Sequence, residues 1–291
     1  MPALQDFRIL AASDGSLAAT AAIVTAVGWP WPPRSKAFGI VVQPSTQEGR
    51  ADAGGAASRS AEEVRASVER ILQRRWPDVR VWKYAGEPAA TIVRQAKRTR
   101  SDLIAMGWRG HGVMRRLLVG SVSRGVVRHA PCSVLVVRKA SRTLRKIVLG
   151  YDGSPNADRA IDYVAQFAPV DARIVVVTAV GIMQAPSGAL MSSAVKGTIA
   201  EEFRRINTLR VRAARRALVK ATKPLRDREH KLDLLVTEKA PLDALLDAST
   251  SAKADLLVVG ATGASGLRGL LVGSVAQGAL DRSATPVLIV R

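Results

Sequence analysis

Short apolar runs alternate with longer amphipathic stretches along this chain, and the alternation predicts its elements. Phe7 to Ala12 is an apolar run ending in Ser13-Asp14-Gly15-Ser16, a strand followed by a helix-start signal. Leu17 to Val27 reads as an alanine-rich helix, broken by Gly28-Trp29-Pro30-Trp31-Pro32-Pro33. Ala37 to Val42 is a second strand, and Gln43 to Arg59 is a Gly/Ser/Ala-rich loop. Ala61 to Trp76 is a helix with core positions Val64, Val68, Ile71 and Leu72. Strand Val79–Tyr84, helix Pro88–Arg100, strand Leu103–Met106, helix Ser121–His129 and strand Val134–Val137 complete the series.

The same order then recurs. Strands are expected at Ile147–Leu149, Ala172–Val180, Leu232–Val236, Leu256–Val259 and Val287–Val290. Helices are expected at Ala157–Phe167, Thr198–Lys223, Leu242–Ser249 and Val275–Leu280. The repetition extends to the letters. The pattern G-x2-G-x9-G-S occurs as Gly107, Gly110, Gly120, Ser121 and as Gly260, Gly263, Gly273, Ser274. Inside it, Leu117 to Val122 and Leu270 to Val275 are identical. Arg8 to Ser16 answers Lys146 to Ser154 at an offset of 138, which becomes 153 from Pro88 and Pro241 onward. An extra segment of 15 residues is therefore expected before Pro241, in a longer loop after Val180. The chain is a tandem duplication. The expected domains are 1–141 and 142–291, with Thr143 to Lys146 as a short linker that makes the halves pack closely.

Strictly alternating strands and helices imply a parallel sheet covered on both faces, and hence an α/β fold. Val134–Val137 and Val287–Val290 are apolar edge candidates, and such edges invite pairing. The halves are therefore expected to pack through their last strands.

With 291 residues and 47% hydrophobic content, two globular domains fit. The apolar runs are too short to cross a bilayer; Ile174 to Val180 is only strand length. The N-terminus lacks the basic-then-apolar pattern of a secretory signal, so a cytoplasmic location is expected, without membrane partners. The single cysteine, Cys132, excludes an intrachain disulfide and an all-cysteine metal site, and reads as a small apolar residue near a strand start. The three histidines show no metal-ligand spacing.

A net charge of +20 changes the picture, because it favours polyanions. Much of it lies at Arg204, Arg205, Arg210, Arg212, Arg215, Arg216, Lys220 and Lys223. Phe203, Ile206, Leu209, Val211, Ala214, Leu218 and Val219 thread through these residues as the apolar face of one helix. The stretch reads first as a solvated face and second as a nonspecific polyanion surface. Aromatics make up only 4% of the chain, which counts against base stacking.

Open parallel sheets bind ligands at the carboxyl ends of their strands. The glycine pattern begins at such an end. Glycine lets a backbone turn sharply and approach a ligand, so that several N–H groups converge on phosphate oxygens. Gly120-Ser121 and Gly273-Ser274 open the next helix at its positive end. Asp14 and Asp152 end the first strand on the same edge, suited to a ribose, a base or a metal ion shared with phosphates. No G-x4-G-K-[ST] and no G-x-G-x-x-G after a first strand is present.

The paired glycine loop and the Asp-Gly-Ser turn resemble those of the universal stress proteins, and the resemblance covers essentially the whole chain. It implies two five-stranded Rossmann-like domains, each binding ATP, with Mg²⁺, or a related adenine nucleotide. Carried over, the first site would use Ala12, Asp14, Val42, Met106, Gly107, Gly110, Gly120, Ser121 and Val122. The second would use Gly150, Asp152, Ala179, Val259, Gly260, Gly263, Gly273, Ser274 and Val275. Val42 and Ala179 rest on strand alignment alone. The resemblance also implies the last-strand contact, made here within one chain as a pseudo-dimer; homodimerisation of the whole chain is a further, weaker expectation. There are departures from the family's pattern. Its Gly-x-Pro survives as Gly86-Glu87-Pro88 but becomes Lys239-Ala240-Pro241, and Trp108-Arg109 stands where the second half has Ala261-Thr262.

Hydrolysis needs a positioned base and a cation on the transferred phosphate. His111, Arg115 and Arg116 lie in the first loop, whereas the second has Ser265, Arg268 and no histidine. The expectation is a nucleotide-binding stress-response regulator with no catalytic residues and at most slow ATP hydrolysis. Two alternatives stay open: a polyanion or nucleic-acid binder with vestigial nucleotide sites, and a cyclic-nucleotide sensor or buffer.

Overall fold

A computed structural model describes residues 6–43, 60–110, 119–183, 193–263 and 272–291, with side chains from 197 onward in the fourth segment. The Gly/Ser/Ala-rich loop lies almost wholly outside the described residues, as do His111, Arg115, Arg116, Ser265, Arg268 and most of the longer loop after Val180.

The first half runs β1 (Arg8–Ser13), α1 (Leu17–Gly28), β2 (Lys36–Gln43), α2 (Ala61–Gln73), β3 (Arg80–Ala85), α3 (Pro88–Arg98), β4 (Leu103–Gly107), α4 (Ser121–His129) and β5 (Ser133–Val137). The second runs β6 (Lys146–Gly150), α5 (Pro155–Phe167), β7 (Arg173–Ala179), α6 (Ser193–Ala221), α7 (Lys223–Arg226), β8 (Lys231–Thr237), α8 (Pro241–Ala252), β9 (Leu256–Gly260), α9 (Ser274–Arg282) and β10 (Val287–Val290).

Each half forms five parallel strands, ordered β3-β2-β1-β4-β5 and β8-β7-β6-β9-β10. The two sheets join into one of ten strands through an antiparallel β5–β10 seam, with Val287 opposite Val136, Leu288 opposite Leu135 and Ile289 opposite Val134. All six residues are buried. The expected last-strand contact is thus the seam itself, and it removes two apolar edges from solvent.

Period-two alternation sends strand residues to two cores. Ile9 and Ala11 face α1, α2 and α5, while Leu10 and Ala12 face α3, α4, α8 and α9. Both cores run across the seam.

The segment expected only to break a helix does more. Trp31 packs on Phe167 of the other half at 5.2 Å and stacks on Phe7 at 5.6 Å, and Phe7 meets Tyr163 at 5.9 Å. The prolines turn the chain, and Trp31, with Phe7, ties the halves together.

The basic helix departs from expectation in two ways. It ends at Ala221, and α7 forms a separate turn. Pro224 lacks the N–H that would bond to the carbonyl of residue 220, and its ring clashes there. Of its expected apolar face, only Leu218 is buried; Leu209 and Val219 are exposed, and Phe203, Ile206, Val211 and Ala214 are half-buried. The remaining elements match expectation to within a few residues at their ends.

Candidate functional site

The site grows from the turn after each half's first strand. Gly15 and Gly153 adopt φ of +84° and +79°, the left-handed region that glycine enters without a Cβ penalty. The Ser16 N–H then donates to Asp14 Oδ1 at 3.0 Å, and the Ser154 N–H to Asp152 Oδ1 at 3.0 Å. Each serine also caps the following helix, accepting from Ala19 or Ala157 at 3.2 Å. Its hydroxyl donates onward to the carbonyl of Arg109 at 3.3 Å or Thr262 at 3.5 Å. One residue therefore fixes the turn, starts the helix and anchors the glycine loop.

The glycines of the loop differ in what they are for. A Cβ on Gly107 would lie 2.6 Å from the Ala19 nitrogen, and one on Gly260 would lie 2.9 Å from Asn156 Cβ. These two let the helix backbone close on the strand, which is a packing demand. A Cβ on Gly110 would lie 2.1 Å from Asp14 Oδ2, and one on Gly263 would lie 2.6 Å from Asp152 Oδ2. These bring the loop backbone against the carboxylate. Gly120 and Gly273 are another case. Their φ values are −62° and −66°, and among the described residues an added Cβ would meet nothing closer than 3.4 Å. Neither backbone strain nor crowding by the described residues requires glycine there.

The Gly120 N–H donates to the Trp108 carbonyl at 2.9 Å and the Gly273 N–H to Ala261 at 2.8 Å, closing the neck of each loop. Beyond the neck, α4 and α9 begin on a glycine, with no side-chain cap among the described residues, and Ser121 and Ser274 are exposed at their first positions. Uncapped first-turn N–H groups at the positive end of a helix favour an anion.

The apolar floor lies beside this edge. Ala12 pairs with Met106, and both are buried with Val42 on the α3/α4 side of the sheet. The register makes Val42 and Ala179 equivalent, since each stands two residues beyond the strand partner of Ala12 or Gly150. Val259 is buried, whereas Gly150 and Ala179 are half-buried. Val122 and Val275 follow the two serines and pack partly against the same core. The structure thus gathers the expected residues of each half at one sheet edge, around the β1/β4 and β6/β9 switch points.

Other features of this edge were not read from the sequence: Asn156, Tyr151 and the contacts that Trp108 makes with its arginines. In the second half, Asn156 Nδ2 donates to the Thr262 carbonyl at 3.2 Å, where the first half has Ala18. Tyr151 donates to Asp158 Oδ1 at 3.2 Å, and burial followed by the Asp158 charge pushes its pKa up to about 12. In the first half, the guanidinium groups of Arg109 and Arg138 both lie over the Trp108 ring, at 4.6 and 4.0 Å. Arg138 also donates to the carbonyls of Leu280 and Asp281 at the end of α9, 2.9 and 2.7 Å away. Arg291 mirrors it, donating to Val127 and Arg128 at the end of α4. Each last-strand arginine thereby caps the other half's helix at its negative end. These pairings follow from the seam, and no local motif announces them.

A groove of about 620 Å³ lies between α3 and α4, lined by Ala89, Val93, Arg94, Val122, Gly125 and His129 among others. It touches Ser121 and Val122 but neither Asp14 nor Gly110. Burial pushes the thiol of half-buried Cys132 up to about 12, which disfavours its thiolate. The described residues contain no cluster of His, Cys, Asp and Glu suited to a metal ion, and no helix long and apolar enough to cross a membrane.

The family model described as the universal stress protein family matches residues 7–138 and 143–291. Universal stress protein Rv2005c of Mycobacterium tuberculosis is 26% identical over 209 residues, covering 66% of this chain and 62% of its own length. Universal stress protein Rv1636 of the same organism is 30% identical over 151 residues, 50% of this chain and 95% of its own. The crystal structure of a universal stress protein from Archaeoglobus fulgidus superimposes with a TM-score of 0.66 at 19% identity, covering 98% of this chain and 96% of that one, which is a likeness of fold. With both halves matched by the model, this chain belongs to the universal stress protein family.

Proposed function

We propose that each half binds one adenine nucleotide at the edge formed by its Asp-Gly-Ser turn, glycine loop and uncapped helix start, and that the protein acts in the cytoplasm as a nucleotide-dependent regulator of a stress response. The observation that carries this reading is at Gly120 and Gly273. Both stand where the backbone is ordinary and a side chain would fit among the described residues, so the described part of the fold leaves their glycines unexplained. Close approach of a phosphate explains them. ATP fits the donor set: loop and helix N–H groups with the Ser121 or Ser274 hydroxyl on phosphate, and the apolar floor beside the base. Asp14 and Asp152 are the groups that would share Mg²⁺ with the phosphates or take the ribose hydroxyls. The division into 1–141 and 142–291 belongs to this reading, each part carrying one site. Regulation is favoured over turnover because only the first loop's sequence contains a histidine; any hydrolysis would be slow.

The test is to purify the protein, denature it and identify released small molecules by chromatography. The reading expects an adenine nucleotide or, from nucleotide-free protein, stabilisation by added ATP with Mg²⁺ of about 2.7 kcal/mol at a hundredfold excess over Kd. No released nucleotide together with an unmoved melting temperature defeats it.

A further inference from the structure

The helix α6 carries a stripe with a large excess of positive charge. At about 100° per residue, Arg204, Arg205, Arg212, Arg215, Arg216 and Lys220 fall within an arc of roughly 160°. All six are exposed. The half-buried residues Phe203, Ile206, Val211 and Ala214 lie on the other side of the helix, toward the body. From 197 to 217 no residue of α6 is fully buried, so this part of the helix stands proud of the sheet.

The equivalent helix of the first half, α2, balances its charge internally. Its Arg65 pairs with Glu62 at 2.7 Å and Glu69 at 2.9 Å. On α6 the one such pair among the described residues is Arg205 with Glu202, at 3.6 Å and largely in solvent. No described carboxylate pairs with Arg204, Arg212, Arg215, Arg216 or Lys220. Glu201 and Glu202 share this face at its N-terminal end, so beyond Arg205 the charged residues of the stripe are cations only, and such an excess favours an external anion.

We propose that the α6 stripe is a docking surface for the phosphate backbone of duplex nucleic acid, read without regard to base sequence. From Arg204 to Lys220 the stripe spans about 24 Å at 1.5 Å per residue. Duplex DNA presents one negative charge per about 1.7 Å of axis, so anions are available all along that length. Guanidinium forks match phosphate oxygens. A membrane surface fits less well. A helix lying in a bilayer interface buries a free apolar face, and the less polar face of α6 is already turned to the protein. The cationic side offers only Leu209 and Val219 as exposed large apolar residues. No aromatic lies within α6 beyond Phe203, which is half-buried, so base stacking adds nothing.

The experiment is a fluorescence anisotropy titration of the full chain with several unrelated labelled duplexes across a salt series. With about six phosphates neutralised, log K against log salt should fall with a slope near −5, so that affinity drops about a thousandfold between 50 and 200 mM salt. A triple variant, Arg212→Gln, Arg215→Gln and Arg216→Gln, should make the slope shallower by about 3 and weaken every duplex alike. A second triple, Arg70→Gln, Arg74→Gln and Arg98→Gln, removes the same charge from exposed sites elsewhere and should leave the slope unchanged. Melting temperatures of both variants should match the parent. Single Arg215→Gln, with an expected slope change of about 1, serves if the triple is unstable. The proposal is overturned by absence of binding at low salt, by equal losses in the two triples, by strong preference for one base sequence, or by tighter binding to phosphatidylglycerol–phosphatidylcholine vesicles than to the duplexes.

Discussion

The two halves share one topology and differ around it. At the strand ends they agree in detail: the same Asp-Gly-Ser turn, the same serine tie to the loop, and the same neck bond before an uncapped helix. Away from that edge they part. Between α3 and α4 the first half has Ala89 beside Gly125, leaving a groove, whereas the second has Leu242 against Gly278. Arg282 and Asp243, 2.9 Å apart, bridge that second cleft. Helix α2 neutralises its own charge and α6 does not. Duplicated copies are free to drift wherever only the fold constrains them. Agreement confined to one edge is what the proposed nucleotide site in each half would require.

The comparison can be broken first at the aromatic contact, whose tryptophan only the first half has. Trp31 is buried against Phe167, while its counterpart at the same offset is Pro169. Trp31→Ala should cost about 3–5 kcal/mol in urea unfolding and should separate the transitions of the two halves. One unchanged cooperative transition would show that the halves do not depend on this contact.

The seam is the symmetric counterpart. Leu135 and Leu288 face each other and are wholly buried. Leu135→Ala and Leu288→Ala should each destabilise by about 2–5 kcal/mol, and by similar amounts. A large loss for one and none for the other would contradict the paired register.

A smaller effect should distinguish the second half by pH. His230 is buried at the start of β8, where the first half has Pro77, and burial lowers its pKa below the ordinary 6.5. Below pH 6.5 the unfolded chain takes up the proton first, so stability should fall as pH drops toward the folded pKa. His230→Gln should flatten that decline when melting temperature is followed between pH 7 and pH 5. An unchanged slope would assign the acid sensitivity to other groups.

Much of this was legible in the sequence because the signals are local. Four- to eight-residue apolar runs such as Leu103–Met106 can be buried only as central strands, and Asp14-Gly15-Ser16 starts a helix by its own side-chain chemistry. The tandem repeat placed both loops in register. The rest depended on partners distant in sequence. Trp29 and Trp31 read as helix-breaking context, because nothing near them names Phe167. Leu209 and Val219 read as part of an apolar face, yet they lie on the same side of α6 as the arginines and are exposed there. Arg138 and Arg291 become helix caps only once the seam sets their places. Within the site, the sequence marked all the glycines alike; only geometry separated the packing glycines, Gly107 and Gly260, from Gly120 and Gly273.

The central claim is one nucleotide site per half, and calorimetric titration of nucleotide-free protein tests it most directly. ATP with Mg²⁺, AMP and cyclic AMP are titrated into the parent, into Gly120→Val and into Gly273→Val, with melting temperatures confirming that each variant is folded. The account predicts two molecules bound per chain for the preferred nucleotide, one in each single variant and none when the substitutions are combined. No heat with any of the three ligands, or a stoichiometry that neither substitution changes, would contradict it.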